Sequence, residues 1–346
     1  MTHISLIGLL LFALMSHSAM SDIGSKSDIG SKSDINFEVK TLSQKELKTI
    51  KQRDWTFEVD ETEKTYFTGR IQPTVKDMEA PSLEYFNLKK GDTPQRFELS
   101  SKAELSPIYN QGNCGSCVYN AVLTAWMDTM RVAGFQTPVL ARQELMDCYA
   151  REWRCNGSYF TKVAKGLSDA KGQIHQEVNY PYKAVNGSCK EVQGDKWGKL
   201  VGYRVIDNSQ KSAINALLSG KALAVTVGAG GAWMSYKGGI FNACSPVGTN
   251  HEVVIIGYDC EGKCEFDNEG NLPKGQGLWL VKNSWGTGWG DKGHMWTKMT
   301  DRSGRLCNNL TEEVGILETG IEPKPECEPQ PKADAGQDKN LVIGGM

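Results

Sequence analysis

Ten cysteines in a chain of 346 residues, all downstream of an apolar leader, constrain this sequence more than any other feature. Disulfides persist in oxidising compartments and are rare in the cytosol, so the set points to an exported, cross-linked protein that keeps one or more thiols free by design. The leader agrees. Leu6 to Met15, LIGLLLFALM, is too short to span a bilayer and runs into the small residues of SHSAMS. It reads as a secretory signal over residues 1–19, although MTHIS in front of it carries no Lys or Arg. No later segment is apolar enough to cross a membrane, so no membrane anchor is expected. The product is expected to be secreted or extracellular, with a periplasmic or lysosome-like compartment as variants. A formal charge of −2 and the lack of a basic cluster leave nucleic acid and polyanionic surfaces without a supporting feature.

Behind the signal, SDIGSKSDIGSKSDIN repeats a six-residue polar unit, and residues 20–35 are expected to be a flexible spacer. Residues 36–91 contain no cysteine and include one plausible helix in LSQKELKTIKQRDW. Lying between a signal and a cysteine-bearing region, they suggest a propeptide. From 92 to 317 the texture is globular. Val118 to Ala133, VYNAVLTAWMDTMRVA, presents a broad apolar helical face closed by Gly134, and further helical stretches cover 140–149 and 160–169. Past residue 200 short β-branched runs take over, at 222–227, 252–258, 277–283 and 294–299. A helical part, about 92–200, followed by a strand part, about 201–317, gives an α+β class. After Glu318, PKPECEPQPKAD is a Pro-rich linker. ADAGQDKNLVIGGM resembles the opening strand of a PKD-type β-sandwich module, so residues 318–346 are expected to be linker and the truncated start of such a module.

The stretch NQGNCGSCVYN, residues 110–120, places two cysteines three apart just before the first helix. A cysteine nucleophile needs thiolate, which a free thiol supplies poorly at neutral pH. With Ser116 as N-cap, Cys117 falls in the first helical turn, where free N–H groups and the macrodipole favour an anion, whereas Cys114 lies outside it. The thiol also needs a base. Of five histidines, His3 and His17 leave with the signal, and His175 and His294 lie in ordinary alternating stretches that are expected to be exposed. His251 opens the apolar run NHEVVIIGY, which would hold its ring at a strand mouth.

QGNCGSC, CNGSY, NHEVVIIGY and KNSWGTGWG, in that order, resemble the signature blocks of the papain-like cysteine peptidases, over residues 92–317. His251 follows Cys117 by 134 positions and Asn283 follows it by 166, the second gap lengthened by an apparent hairpin insertion, DCEGKCEFDNEGNLPKG. The resemblance implies a two-lobed fold, with a helical lobe, an antiparallel β-barrel lobe, and the active site in the cleft between them. It also implies roles. Cys117 would be the nucleophile and His251 its partner in a thiolate–imidazolium pair, with Asn283 orienting the ring and Trp285 covering that bond from water. Gln111 would help hold the oxyanion. Asn156, Gly157 and Ser158 would line the cleft and bind an extended peptide by its backbone, Tyr159 would wall a side-chain pocket, and Asn250 joins them as a substrate-binding residue.

Two departures bear on this site: Val118 stands where the family usually has Trp or Tyr, and Ser158 where it usually has a second Gly. The first is expected to loosen packing under the cleft, the second to put a hydroxymethyl where a peptide must approach. Family analogy pairs Cys114 with Cys155, Cys148 with Cys189 and Cys244 with Cys307, leaving Cys117 free. Cys260 and Cys264 could close a loop of their own, and Cys327 is left over. A metal reading of Cys260 and Cys264 would need two more ligands, so no metal and no cofactor are expected. The leading expectation is a monomeric endopeptidase made as a zymogen, acting on polypeptides through an acyl-enzyme and inhibited by its own propeptide. No occluding insertion follows CNGSY, which favours internal cleavage. The propeptide lacks the long helical motif common in the family. The rivals are a catalytically weak module that holds peptide in the same cleft, or acyl transfer on the same site.

Overall fold

The structure is a computed structural model that describes residues 38–50, 55–73, 93–244, 248–310 and 313–319. The expected signal, the spacer, residues 74–92 and everything from 320 on, with Cys327, lie outside the described residues. Ahead of the first cysteine come β1 (Glu38–Lys40), α1 (Gln44–Ile50), β2 (Phe57–Val59), β3 (Thr65–Phe67) and β4 (Arg96–Glu98). The helical part holds α2 (Cys117–Val132), α3 (Arg142–Glu144), α4 (Phe160–Asp169), β5 (Ile174–His175) and β6 (Lys196–Trp197). The strand part holds β7 (Leu200–Ile206), α5 (Gln210–Leu218), β8 (Leu223–Val227), β9 (Tyr236–Phe241), β10 (His251–Asp259), β11 (Leu278–Lys282), β12 (His294–Lys298) and β13 (Val314–Thr319). The chain is therefore α+β, as its change of periodicity suggests.

Helix α2 is buried on every side from Cys117 to Met130, not along one face, because α4 packs on it from one direction and β8, β10 and β13 from the other. The expected helix over 140–149 breaks in two. After α3 the backbone widens into a π-helical turn, Leu145–Tyr149, closed by the bond from Ala150 N–H to Leu145 O.

The main sheet runs in the order β2-β9-β12-β11-β10-β8-β13-β7, with β4 also on β10. This corrects the expected barrel. The sheet is open, because its β9 edge is capped by β2, from ahead of the cysteines, and its other edge strand, β7, packs on α4. Nor is it wholly antiparallel, since β9 and β12 pair in parallel. The four bonded pairs are Cys114–Cys155, Cys148–Cys189, Cys244–Cys307 and Cys260–Cys264, and Cys117 is the free thiol among the described residues. With Cys260 and Cys264 bonded to each other, neither is a metal-binding thiolate.

Candidate active site

Strand β10 begins at His251 and is sandwiched between β8 and β11, which fixes the ring at the strand mouth. Asn283 follows the last residue of β11. Its Oδ1 lies 2.8 Å from His251 Nε2 and also accepts the Ser284 backbone N–H at 2.7 Å. An oxygen that already accepts from Ser284 makes Nε2 the donor, so the neutral ring keeps its lone pair on Nδ1, which has no partner among the described residues. Trp285 stacks on the imidazole, ring centroids 4.5 Å apart and planes at 22°.

Cys117 is the first residue of α2. Ser116 occupies the N-cap position, but its side chain makes no cap bond; its hydroxyl meets that of Tyr182 at 2.6 Å. Backbone groups of Glu252 and Val118 favour the anionic form of the Cys117 sulphur, so the helix start and the residue after His251 both act on it. Gln111 is locked from three directions. Its Nε2 donates to Cys114 O at 3.0 Å, its Oε1 accepts from Ser284 Oγ at 2.7 Å, and its backbone N–H donates to Ser284 O at 2.8 Å. Val118, the departure beside Cys117, is fully buried.

Along this site lies the segment that precedes the cysteines. Trp285 Nε1 donates to Phe67 O at 2.8 Å, and Tyr66 also stacks on the indole, ring centroids 4.7 Å apart. The Gly69 and Arg70 N–H groups both point to Asn250 O, at 3.2 and 3.1 Å. Ser158 N–H donates to Gly69 O and Ile71 N–H to Ser158 O, each at 2.7 Å, a parallel bridge between Arg70 and Ser158. The Ser158 hydroxymethyl does not prevent the approach of this backbone. Gly69 is required there: a Cβ on it would sit 2.1 Å from Gly115 O, backbone that cannot move aside. Asn250 is held in turn by paired bonds between its side chain and the Ala229 N–H and carbonyl. Gly157, with φ of 89°, turns the chain between exposed Asn156 and buried Ser158, while Tyr159 packs edge-on against Trp153.

With the segment laid along the cleft, Cys117 and His251 are both fully buried. Burial pushes the thiol up and the ring down, to about 4, the Asn283 bond offsetting only part of the latter. Burial of this kind works against the charged form of both groups while the cleft is covered. The other two histidines differ from expectation. His175 is buried, with its Nδ1 2.9 Å from Glu144 Oε1 and its backbone N–H on Glu144 Oε2, and His294 is partly buried.

Sequence reasoning overlooked Arg70, Ser284, Asp128, Lys282, Glu252 and Glu313. Lys282, next to Asn283, is buried and pairs with Asp128 of α2 at 2.8 Å. Arg70 pairs with Glu313 at 2.7 Å, both side chains buried. A signal for one of them was available: Glu252 is a lone charge inside the apolar run NHEVVIIGY.

Comparison with known proteins bears on this geometry. The family model described as papain family cysteine protease matches residues 93–316. Caricain from Carica papaya is 31% identical over 235 residues, 67% of this chain and 63% of caricain, so the chain spans less than two thirds of that relative's length. The structure of a Carica candamarcensis cysteine protease in complex with E-64 is 27% identical, with a TM-score of 0.55, over 65% of this chain and 99% of that one. Digestive procathepsin L2 from the larval midgut of Tenebrio molitor shares the fold over 79% of this chain and 90% of its own, with a TM-score of 0.65 at 22% identity. Matched to the family model over more than half its length, the chain belongs to the papain family of cysteine proteases.

Proposed function

We propose that this chain is a secreted cysteine endopeptidase made as a zymogen, with residues 36–91 as a propeptide that occupies the cleft until it is removed and 92–317 as the peptidase domain. The observation that carries the reading is a polypeptide already lying along the free cysteine, held by backbone bonds to Ser158 and Asn250. Strand-like pairing of this kind binds extended peptides with little regard to side chain. Once the propeptide leaves, water and a substrate replace it, the burial that works against both charged forms is relieved, and the thiol proton can pass to His251 Nδ1. The thiolate adds to the substrate carbonyl, and the oxyanion is held by the Cys117 N–H and the Gln111 amide hydrogen not engaged with Cys114. A donor of that sort contributes about 3 kcal/mol in the transition state. His251 returns the proton to the leaving amine, and water then releases the acyl group from sulphur.

The processed protein is expected to react once with a thiol-directed epoxide, at Cys117, and to cleave a denatured protein, both behaviours vanishing in Cys117→Ala. A fully processed sample that shows no labelling at Cys117 by mass spectrometry overturns the reading.

A further inference from the structure

The cleft wall beside Ser158 carries charge that the cysteine chemistry does not use. Strands β10, β8 and β13 are neighbours, and their antiparallel register sets Glu252 opposite Thr226 and Val314 opposite Val225. Continued by one residue, the same register brings Glu313 beside Thr226. Glu252, Thr226 and Glu313 thus form a row across three strands, with exposures of 0, 0 and 4%. Strands buried on both faces are expected to be apolar throughout. Here neither Glu252 oxygen, nor Glu313 Oε1, nor Thr226 Oγ1 has a hydrogen-bond partner among the described residues. Buried and unpartnered, such atoms destabilise a fold unless something else supplies the missing partner.

One partner is supplied, and it arrives on a peptide. Arg70 extends its guanidinium to Glu313 Oε2 at 2.7 Å and to Thr249 Oγ1 at 3.2 Å, while its backbone runs along Asn250 and Ser158 as a bound strand. It is 6% exposed, and its Nε has no partner among the described residues. The adjacent Gly69 touches Gly115, two residues before Cys117, so this pocket lies close to where a scissile bond would sit. Removal of residues 36–91 takes the guanidinium away and leaves two buried carboxyl groups facing the cleft. An aliphatic side chain entering there would bury them further without pairing them. A planar guanidinium can neutralise the site and bridge more than one oxygen, and an ammonium can neutralise it as a point charge.

We propose that Glu252 and Glu313, with Thr226 between them, form a recognition pocket for a basic side chain of the polypeptide substrate, arginine ahead of lysine, and that Arg70 is its intramolecular occupant before processing. The proposal rests on the peptidase reading for its substrate but not for its pocket, and the experiment separates the two.

Processed protein is given quenched fluorescent peptides varied one position at a time on both sides of the bond. Arginine at one position is expected to exceed leucine there in kcat/KM by at least about tenfold. In the Glu252→Gln/Glu313→Gln double variant the arginine-to-leucine ratio is expected to fall to about one, each variant's own leucine rate serving as its reference. Should the double variant not fold, Glu313→Gln alone is read, with a severalfold fall in the ratio. A second readout needs no turnover: the rate at which peptidyl epoxides carrying arginine or leucine label Cys117. Turnover with an apolar preference at every position, or an arginine preference untouched by the variants, overturns the pocket and leaves the peptidase reading standing. Arginine-selective labelling without turnover overturns the peptidase reading and upholds the pocket. Absence of both labelling and turnover overturns both.

Discussion

Lys282–Asp128 and Arg70–Glu313 are both buried ion pairs, yet only the first is saturated. Lys282 Nζ donates to Asp128 Oδ2 at 2.8 Å, to Ser106 O at 2.5 Å and to Ser106 Oγ at 2.9 Å, which uses all three ammonium hydrogens. Asp128 Oδ1 takes the Ser106 N–H at 2.6 Å. The second pair leaves Arg70 Nε and Glu313 Oε1, and beside them both Glu252 carboxyl oxygens, without partners among the described residues. The difference follows the chain. Lys282 and Asp128 sit on β11 and α2, which belong to the core and carry Asn283 and Cys117 at their ends, whereas Arg70 comes from a segment that only lies against the cleft. The pair that joins two core elements is closed on itself, and the one whose partner would be exchanged under our proposal is left with valences open.

The closed pair should be the harder of the two to open. Asp128→Ala would strand a buried ammonium whose pKa burial already lowers, and removal of one partner from such a pair costs about 3–5 kcal/mol. Urea unfolding of the intact chain should show a loss of that size; a change within about 0.5 kcal/mol would mean that the pair is not what joins β11 to α2. The open pair should yield differently. Arg70→Gln keeps a polar side chain but shortens it and removes its charge, so the segment should lift from the cleft more often while the core stays folded. Labelling of Cys117 by the epoxide in the unprocessed chain is expected to rise roughly tenfold or more, as for loss of a charged hydrogen bond of about 1.5–3 kcal/mol. An unchanged labelling rate would show that the backbone bonds to Ser158 and Asn250 hold the segment without Arg70.

These two pairs also mark what could be read from the sequence. Cys117, His251, Asn283 and Gln111 sit in short blocks whose order and spacing survive in one dimension, and the strand runs at 222–227, 252–258, 277–283 and 294–299 became β8, β10, β11 and β12 within a residue or two. The row of Glu252, Thr226 and Glu313 was invisible, because three residues scattered over the chain become neighbours only through strand register, which composition does not specify. The helix expected over 140–149 failed for a local reason: its apolar periodicity cannot distinguish an i→i+4 from an i→i+5 turn. The barrel failed for a distant one, since the strand that caps β9 comes from residues 57–59, far ahead of the region whose pattern suggested closure.

Glu252 should respond more weakly than either pair. Burial and Glu313 raise its carboxyl well above the usual range, and only Arg70 pulls it back. A carboxyl raised in the folded state adds stability that is complete below its unfolded value, about 4.3, and is lost as pH climbs toward the folded value. The wild-type intact chain should therefore lose about 1 kcal/mol from this group over the first pH unit above that point, where Glu252→Gln loses none. Urea midpoints of the two proteins should run together near pH 4 and separate upward, with the variant the more stable. Curves that stay parallel would mean that Glu252 titrates in the folded chain as it does in the unfolded one. A carboxylate free to ionise at its ordinary pH is one that water or a donor already satisfies, and the open valences that set the Arg70 site apart from the Lys282 site would be closed after all.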